Sequence, residues 1–319
     1  MKRQVLLFIF FAVFLSISVS SNGQETYKSL KSPDGRMELR FSLRDGKPYY
    51  ELSRDGRAVV LPSRMGFTLE WRKSDLASGF RINRVQRNTF DEVWQPVWGE
   101  EANIRNHYNE LAVTLVQDFY LDHEGKRVNK STVMTVLFRL YNDGLGFRYE
   151  FPLYVAVKED LSEPIPNSLV TFWLTDELTE FRMTGDHTAW WIPGDYDTQE
   201  FNYTKSRLSQ VKSLYWQSQK GGGWPWKSFS ESGVQTALQM KTDDGLYINI
   251  HEAAVLDFPT MNLNIDSTVR PSDKHMEYTL KVHLTPDATG YVGRLTSPCY
   301  SPGAPYKCAT MPPMCYAHA

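Results

Sequence analysis

Cysteine is almost absent from this sequence of 319 residues. The three cysteines, Cys299, Cys308 and Cys315, lie near the end of the chain, so residues 1–298 can form no disulfide among themselves. Their spacing matches no zinc-binding pattern, and an odd number of thiols in an oxidising compartment leaves at least one without an intramolecular partner. The body of the protein must therefore be held together by its hydrophobic core.

A block of basic charge is also missing. The sequence has 35 Lys and Arg residues against 37 Asp and Glu residues, so the electrostatic footprint of a nucleic-acid-binding protein is absent. No G-x-S-x-G, P-loop, H-E-x-x-H or EF-hand motif is present, which leaves nucleophile-elbow, nucleotide and dedicated metal-cage chemistry without support. A hydrophobic fraction of 41% and a mean hydropathy of -0.43 are typical of a globular chain and exclude a multi-span membrane protein.

The N-terminus has the pattern of a secretory signal peptide. Lys2 and Arg3 precede an unbroken apolar run over residues 5–14, and small polar residues follow up to Gly23. The run is shorter than the ~20 residues that a membrane-spanning helix needs. We therefore interpret residues 1–23 as a cleaved signal peptide and expect a periplasmic protein with no membrane attachment after cleavage.

Alternation of apolar and polar residues dominates the rest of the chain and predicts strands. The clearest segments are residues 37–43, 131–138, 246–250 and 278–284. Asp-Gly pairs, which favour tight hairpin turns, lie beside such segments at Asp34-Gly35, Asp45-Gly46, Asp55-Gly56, Asp143-Gly144 and Asp244-Gly245. Many short strands with regular turn signals predict an all-β sandwich or barrel.

One stretch alone has helical spacing. Between residues 205 and 220, four apolar side chains fall on one helical face, which predicts a short helix; they are Leu208, Val211, Leu214 and Tyr215. Residues 221–226 read Gly-Gly-Gly-Trp-Pro-Trp and must form a loop. We find no internal repeat and no linker, so residues 24–302 are interpreted as one large β-domain.

Three polar clusters are candidates for chemistry. They occupy residues 94–110, residues 184–200 and His251-Glu252. The second cluster mixes carboxylates with aromatic residues, which suits either a hard cation or a sugar, but turn-forming aspartates with aromatic packing would produce the same composition. The histidines of the three clusters are interpreted as hydrogen-bonded structural residues; they are His107, His187 and His251.

Taken together, the longer motifs resemble glycoside hydrolase family 97, and most closely its secreted α-glucosidases that process starch. The resemblance rests on residues 94–101, 104–110, 143–152, 185–200 and 241–254, and it extends from the signal peptide to about Pro302. Members of that family have an N-terminal β-super-sandwich resembling galactose mutarotase, a central catalytic barrel and a small C-terminal β-domain. The resemblance implies that this sequence holds only the first of these, residues 24–302, and that it is truncated before the barrel.

The resemblance also implies site residues. Family members bind Ca²⁺ between sandwich and barrel, and the glutamate that closes their counterpart of residues 195–200 is a ligand, so Glu200 takes that role here. The family's sandwich reaches into the substrate pocket at the positions of Gln219, Lys220 and Gly221. No catalytic residue is expected in this chain, because the catalytic carboxylates belong to the barrel. The expected partners are α-glucan oligosaccharides and, in intact relatives, the chain's own barrel.

The family pattern stops after Pro302. Residues 303–319 look unlike the rest. We infer that a one-base deletion in the gene produced them from the family's continuation, and a divergent natural terminus is the alternative. This tail has four prolines counted from Pro302 and no long alternating run, so it is predicted to be disordered and dispensable.

Two other interpretations stay open. The chain could be a free-standing carbohydrate-binding sandwich that uses Trp94 and Trp98, or Trp190 and Trp191, or it could be a fragment without a selected function. An epimerase that uses His and Glu as acid and base would rest on fold-level analogy alone.

Overall fold

The chain folds almost entirely into β-strands with one α-helix, and the predicted all-β class is confirmed. The computed structural model describes residues 27–69, 73, 75–151, 171–196, 200–220, 227, 229–252, 260–266, 278–284, 293–296 and 314–318. The strands are β1 (Lys28–Lys31), β2 (Met37–Arg44), β3 (Lys47–Arg54), β4 (Arg57–Arg64), β5 (Phe67–Leu69), β6 (Arg81–Trp94), β7 (Ile104–Gln117), β8 (Tyr120–Leu121), β9 (Arg127–Val128), β10 (Thr132–Leu140), β11 (Gly144–Glu150), β12 (Thr171–Glu177), β13 (Glu180–Met183), β14 (Thr188–Trp191), β15 (Thr204–Arg207), β16 (Gly233–Gln235), β17 (Leu238–Lys241), β18 (Tyr247–His251), β19 (Met261–Asp266), β20 (Tyr278–Leu284), β21 (Gly293–Thr296) and β22 (Met314–His318). Helix α1 (Val211–Ser218) follows a single 3-10 turn at Leu208–Gln210.

Two large antiparallel sheets form the layers of a sandwich. One has eight strands in the order β1-β2-β3-β4-β13-β20-β19-β16, and the other has nine in the order β15-β14-β17-β18-β22-β11-β10-β7-β6. Smaller sheets, β21-β12-β5 and β8-β9, lie beside them. The order places β15 and β6 at opposite edges of the nine-stranded sheet.

The core lies between the two large sheets and is rich in aromatic residues. Phe41 on β2 contacts Phe138 on β10 with ring centroids 5.9 Å apart, and Tyr50 on β3 contacts Phe147 on β11 at 5.3 Å. All four side chains are buried, and burial of a large apolar side chain stabilises a fold by about 1.5–3 kcal/mol. These contacts join the sheets without a disulfide, as the near absence of cysteine predicted.

Four of the five predicted Asp-Gly pairs have their glycine at positive φ, and the exception is Gly144. Asp45 and Gly46 connect β2 to β3 with φ of 50° and 71°, and Asp55 and Gly56 connect β3 to β4 with φ of 50° and 76°. Two consecutive residues at positive φ are the signature of the hairpin turn whose twist matches that of the flanking strands.

The predicted helix is shorter than the sequence suggested. Residues 204–207 form β15, which pairs with β14 and places Lys205 opposite Trp190. The helical spacing begins only at Leu208, and Val211 and Tyr215 are buried as predicted. Backbone pairing with β14 overrides the helical pattern at the start of the segment.

The prediction of a wholly disordered tail is wrong for residues 314–318. These residues form β22, which lies between β11 and β18 and pairs with both. A strand at this position satisfies backbone groups on two edges that would otherwise be open. Residues 303–313 and 319 lie outside the described part of the chain.

The predicted signal peptide, residues 1–23, also lies outside the described residues. Within the described part, none of the helical structure has the length and apolar character to cross a membrane.

Candidate functional site

The predicted site residues lie on a short stretch of chain that leaves the sheet edge and returns to it. The β14–β15 hairpin pairs Trp191 with Thr204, so its connecting loop, residues 192–203, projects from one end of these strands. From the other end of β15, the chain enters α1, whose buried Tyr215 interacts with Asp195 of the loop. Helix α1 therefore brings Gln219 back toward the loop that contains Glu200.

Asp186 fixes the start of this returning segment. Its carboxylate accepts hydrogen bonds from the Ser209 backbone N–H at 2.9 Å and from the Ser209 hydroxyl at 2.7 Å. The Arg207 guanidinium donates to the Asp186 carbonyl oxygen at 2.8 Å and to the Asp243 carboxylate at 2.6 Å. Asp186 therefore positions the turn before the helix.

Asp195 of the loop and Tyr215 of the helix are both buried, and the charge of Asp195 acts on the Tyr215 hydroxyl. Tyr215 is fully buried and Asp195 is 7% exposed. Burial first, and then the negative charge of Asp195, raises the pKa of Tyr215 to about 12, while the neighbouring Gln219 side chain acts in the opposite direction. The Tyr215 hydroxyl is therefore neutral near pH 7.

The loop segment before Glu200 is clamped by β16 and by Phe229. The Gly194 backbone N–H donates to the Gly233 carbonyl oxygen at 2.9 Å. The Phe229 ring packs so closely that a Cβ atom at Gly194 would lie 2.5 Å from it, and the same ring stacks on Tyr196 with centroids 5.5 Å apart. The backbone at Gly194 and the Tyr196 side chain are therefore held against β16 and Phe229.

Glu200 is exposed at the end of this clamped loop, whereas the next residue, Phe201, is 6% exposed and anchors the chain. Residues 197–199 lie outside the described part. Within the described part, no three His, Cys, Asp or Glu side chains are grouped closely enough to hold a metal ion. Since Ca²⁺ takes six to eight oxygen ligands, the described residues fit a single-ligand contribution from Glu200 and not a complete site.

The three predicted substrate-contact positions differ in accessibility. Gln219 is 2% exposed and lies against Tyr215. Lys220 is exposed, and its backbone N–H donates to the Gln217 carbonyl oxygen at 3.2 Å. Gly221 lies outside the described residues. Of the two positions that are described, only Lys220 is accessible to a ligand.

The carbohydrate-binding alternative uses two tryptophan pairs, and the members of one of them, Trp190 and Trp191, differ in accessibility. Trp191 is fully buried, and its indole N–H donates to the Ser206 hydroxyl at 2.9 Å. Trp190 lies on the opposite sheet face, where its ring stacks on Tyr247 at 6.4 Å and the Lys205 ammonium lies 5.2 Å from its centroid. Trp191 is therefore a core residue, and only Trp190 of this pair can meet a ligand.

Trp94 and Trp98 are far more open. They belong to the β6–β7 hairpin at the sheet edge opposite β15, and they are 46% and 89% exposed. Their position separates them from the Glu200 loop.

The histidines of the predicted clusters make local contacts. His187 is buried, and burial lowers its pKa, so the ring is neutral beside the Thr184 hydroxyl at 3.3 Å. His251 Nδ1 lies 3.2 Å from the Glu252 carbonyl oxygen, and His107 Nε2 lies 4.0 Å from the Asp91 carboxylate.

A buried acidic cluster was missed by the sequence analysis. The Thr179 hydroxyl donates to Glu177 at 2.5 Å and lies 2.6 Å from the Tyr149 hydroxyl, and all three side chains are buried. Burial above all, with the charges of Glu252 and Asp176, raises the pKa of Glu177 to about 8, against the opposing hydrogen bond from Thr179. The adjacent acids of Asp176-Glu177 were the only signal, and such pairs are normally exposed.

These features define a β-sandwich domain with a carboxylate-bearing loop and a helix end at one sheet edge. The family model described as Glycosyl-hydrolase 97 N-terminal matches residues 30–302. The chain belongs to glycoside hydrolase family 97, as its motifs suggested.

Individual relatives agree with this assignment. The chain is 24% identical over 290 residues to a retaining alpha-galactosidase of Bacteroides thetaiotaomicron, covering 86% of this chain and 35% of that protein. Glycoside hydrolase family 97 enzyme structures from Pseudoalteromonas sp., in complex with panose and with acarbose, share 25% identity at a TM-score of 0.65 and cover 91% of this chain and 35% of theirs. A beta-arabinopyranosidase structure, at 16% identity and a TM-score of 0.61, shares the fold. The chain thus spans about a third of the length of these family 97 relatives.

Proposed function

We propose that this chain is the N-terminal domain of a calcium-dependent family 97 α-glucosidase that acts on starch-derived α-glucosides, and that it is not catalytic alone. The observation that carries the proposal is the family match over residues 30–302 together with coverage of only 35% of the relatives. Panose and acarbose bound to relatives support an α-glucoside substrate. Export to the periplasm belongs to the same proposal and rests on the pattern of residues 1–23.

Within this function, Glu200 supplies one carboxylate to a Ca²⁺ ion whose other ligands come from the part of the enzyme outside the matched region. The close packing at Gly194 and the burial of Phe201 support this role, because they anchor the chain at two points that flank the exposed carboxylate. A coordinating side chain that is already held in position loses less conformational entropy when the ion binds. Calcium there would neutralise and orient carboxylates around the substrate.

The end of α1 forms part of the substrate pocket in this proposal. Lys220 contributes the accessible side chain, and the Gly221 backbone follows it. Gln219 is proposed to support the pocket indirectly, since its side chain is buried and interacts with Tyr215. The sandwich therefore shapes one wall of the pocket.

The test uses residues 24–318, which retain β22, joined to the remaining two thirds of the Pseudoalteromonas sp. enzyme. Glu200→Gln removes the carboxylate charge at constant size, so Ca²⁺ affinity and α-glucoside hydrolysis should fall together, each by about tenfold or more, because calcium affinity depends on ligand charge and number. Isothermal titration calorimetry and nitrophenol release measure the two effects. Glu124→Gln, at a carboxylate whose side chain is 73% exposed, is the matched control.

Unchanged Ca²⁺ affinity in the Glu200→Gln variant, with the hybrid folded and active, would remove Glu200 from the metal site. If Glu200→Gln and Glu124→Gln lowered Ca²⁺ affinity and hydrolysis equally, the losses would reflect the change in overall charge and not a role of Glu200.

The second candidate function, a free-standing carbohydrate-binding sandwich, is favoured by the exposure of Trp94 and Trp98. Aromatic side chains of this kind stack on sugar faces. The chain alone would then bind maltooligosaccharides in calorimetry, and Trp98→Ala would weaken that binding. If the chain alone binds no maltooligosaccharide, the free-standing function is excluded and the first candidate, an N-terminal domain of a larger enzyme, remains.

A further inference from the structure

Strand β6 forms one edge of the nine-stranded sheet, and β7 is its only partner among the described strands. Every side chain from Gln86 to Trp94 is exposed. These include Phe90, Val93 and Trp94, with exposed fractions of 39%, 61% and 46%. An edge of this length presents unpaired backbone N–H and C=O groups to any strand of compatible sequence.

The sequence of β6 is complementary to itself when read in opposite directions from Thr89. Arg87 and Asp91 lie two positions on either side of Thr89, and Val85 and Val93 lie four positions away. In an antiparallel pair of two β6 strands centred on Thr89, Arg87 of each copy lies opposite Asp91 of the other. Val85 likewise lies opposite Val93 of the other copy.

Strand geometry places these pairs on a common face, because alternate residues point to the same side of a sheet. Asp91 already accepts two hydrogen bonds from Arg105 of β7, at 2.8 and 2.7 Å. A second arginine from the partner copy would reach the same carboxylate from the open side. Each copy would thus form an Arg105–Asp91–Arg87 series of alternating charges across the junction.

Other registers lack this match. Centres at Arg87 or Asp91 place like charges opposite each other, which destabilises an antiparallel pair. A centre at Phe90 places Arg87 opposite Val93 and forms no ion pair. A centre at Asn88 places Asp91 opposite Val85 and pairs Arg84 with Glu92 instead. Among centres from 87 to 91, Thr89 alone pairs Arg87 with Asp91, and Val85 with Val93, at both symmetric contacts.

We propose that β6 is a self-association edge, at which a second copy of this chain adds antiparallel about a two-fold axis through Thr89. The two nine-stranded sheets become one continuous sheet, with the isologous contact that two-fold dimers require. This edge is opposite β15, so the dimer leaves the Glu200 loop open. The proposal does not depend on the calcium or substrate role of that loop.

Charge reversal tests the register. Arg87→Asp and Asp91→Arg each place like charges at both symmetric contacts, so each should raise the dimer Kd by about tenfold or more. The double variant restores both pairs in reverse and should return to within about threefold of the unchanged protein. Sedimentation velocity over a concentration series measures the Kd, and thermal unfolding verifies that each variant folds.

Cross-linking tests the centre. Residues directly opposite each other in an antiparallel pair have Cα atoms about 4.5–5.5 Å apart, within disulfide range. With the three native cysteines replaced by serine, Thr89→Cys should form a covalent dimer under mild oxidation. Gln86→Cys is the control, because residues 86 of the two copies would be six positions apart along the strand, roughly 20 Å.

A chain that is monomeric at all concentrations would overturn the proposal. So would a dimer that survives both single charge reversals, or equal cross-linking at positions 86 and 89. A dimer that is lost in Trp98→Ala but not in Arg87→Asp would assign association to the hairpin tip and would also overturn it.

Discussion

Glu177 is a carboxyl group that the fold holds in its neutral form near pH 7. Its pKa rises from an ordinary value of 4.5 to about 8, and burial is the main cause. Above pH 4.5 the unfolded chain loses this proton while the folded chain keeps it, so the folded state binds more protons. Stability therefore falls as pH rises from about 4.5 to 8. Asp176 and Glu252, whose pKa values burial also raises, act in the same direction.

Glu177→Gln should remove most of this pH dependence. The amide cannot ionise, so the variant should gain stability relative to the unchanged protein as pH rises, on the order of 2–3 kcal/mol near pH 7. Urea unfolding followed by tryptophan fluorescence at pH 5, 6, 7 and 8 measures the difference. Since the Thr179 hydroxyl can still donate to the amide oxygen, the local hydrogen bond is retained.

Glu124→Gln, at the exposed carboxylate used above, should leave the pH profile unchanged. Parallel profiles for Glu177→Gln and the unchanged protein would show that Glu177 is already ionised in the fold.

Single residues of the site were only partly predictable from sequence. Motif resemblance identified Glu200, and exposure is consistent with its proposed role, but the pattern could not show that Gln219 is buried or that Trp191 belongs to the core. Burial depends on contacts between residues far apart in sequence, such as Tyr149 with Thr179. A single sequence contains no direct signal for such contacts.

Strands and turns were predicted correctly where the sequence has clear apolar alternation or clear turn residues. The alternation over residues 278–284 coincides with β20, and the turns at Asp45-Gly46 and Asp55-Gly56 have the expected backbone angles. Period-two alternation reflects burial of one strand face, and positive φ at both turn residues favours Asp-Gly. Both signals are local in sequence.

The sequence did not predict strands β15 and β22, because pairing with neighbouring strands determines their extended conformation. Residues 204–207 have no apolar alternation, and their pairing with β14 decides their conformation. Residues 314–318 are short and follow a proline-rich stretch, yet they fill the position between β11 and β18. Neighbouring strands can impose extended structure on segments whose own preference is weak.

Proline substitution tests whether β22 is an integral strand. Tyr316→Pro removes a backbone donor from a strand with neighbours on both sides, which should lower the thermal midpoint by several degrees. His123→Pro, at the second position of the exposed turn in which the Gly125 N–H donates to the Asp122 carbonyl oxygen, is the control and should have little effect, because proline is favoured at that turn position. Differential scanning calorimetry measures both midpoints. Equal midpoints for Tyr316→Pro and the unchanged protein would mean that β22 contributes nothing to stability.

For the whole molecule, the coverage of 35% of the relatives sets the expectation for activity. The chain alone should not release nitrophenol from an α-nitrophenyl glucoside, with or without added Ca²⁺. The proposed acid and base belong to the part of the enzyme outside the matched region, and binding groups alone do not replace them. The assay compares the purified chain with the hybrid enzyme described above. Turnover by the chain alone at the rate of the hybrid would overturn the proposal that catalysis requires the part of the enzyme outside the matched region.

The central position of β22 has a consequence for the order in which the chain acquires its structure. Without β22, the nine strands separate into β15-β14-β17-β18 and β11-β10-β7-β6, which no other described strand joins within that sheet. The link pairs Tyr316 with Gly144, roughly 170 positions apart, and contacts of such high sequence separation form slowly. Because β22 follows all the other described strands of this sheet in the sequence, both half-sheets are synthesised before the strand that joins them.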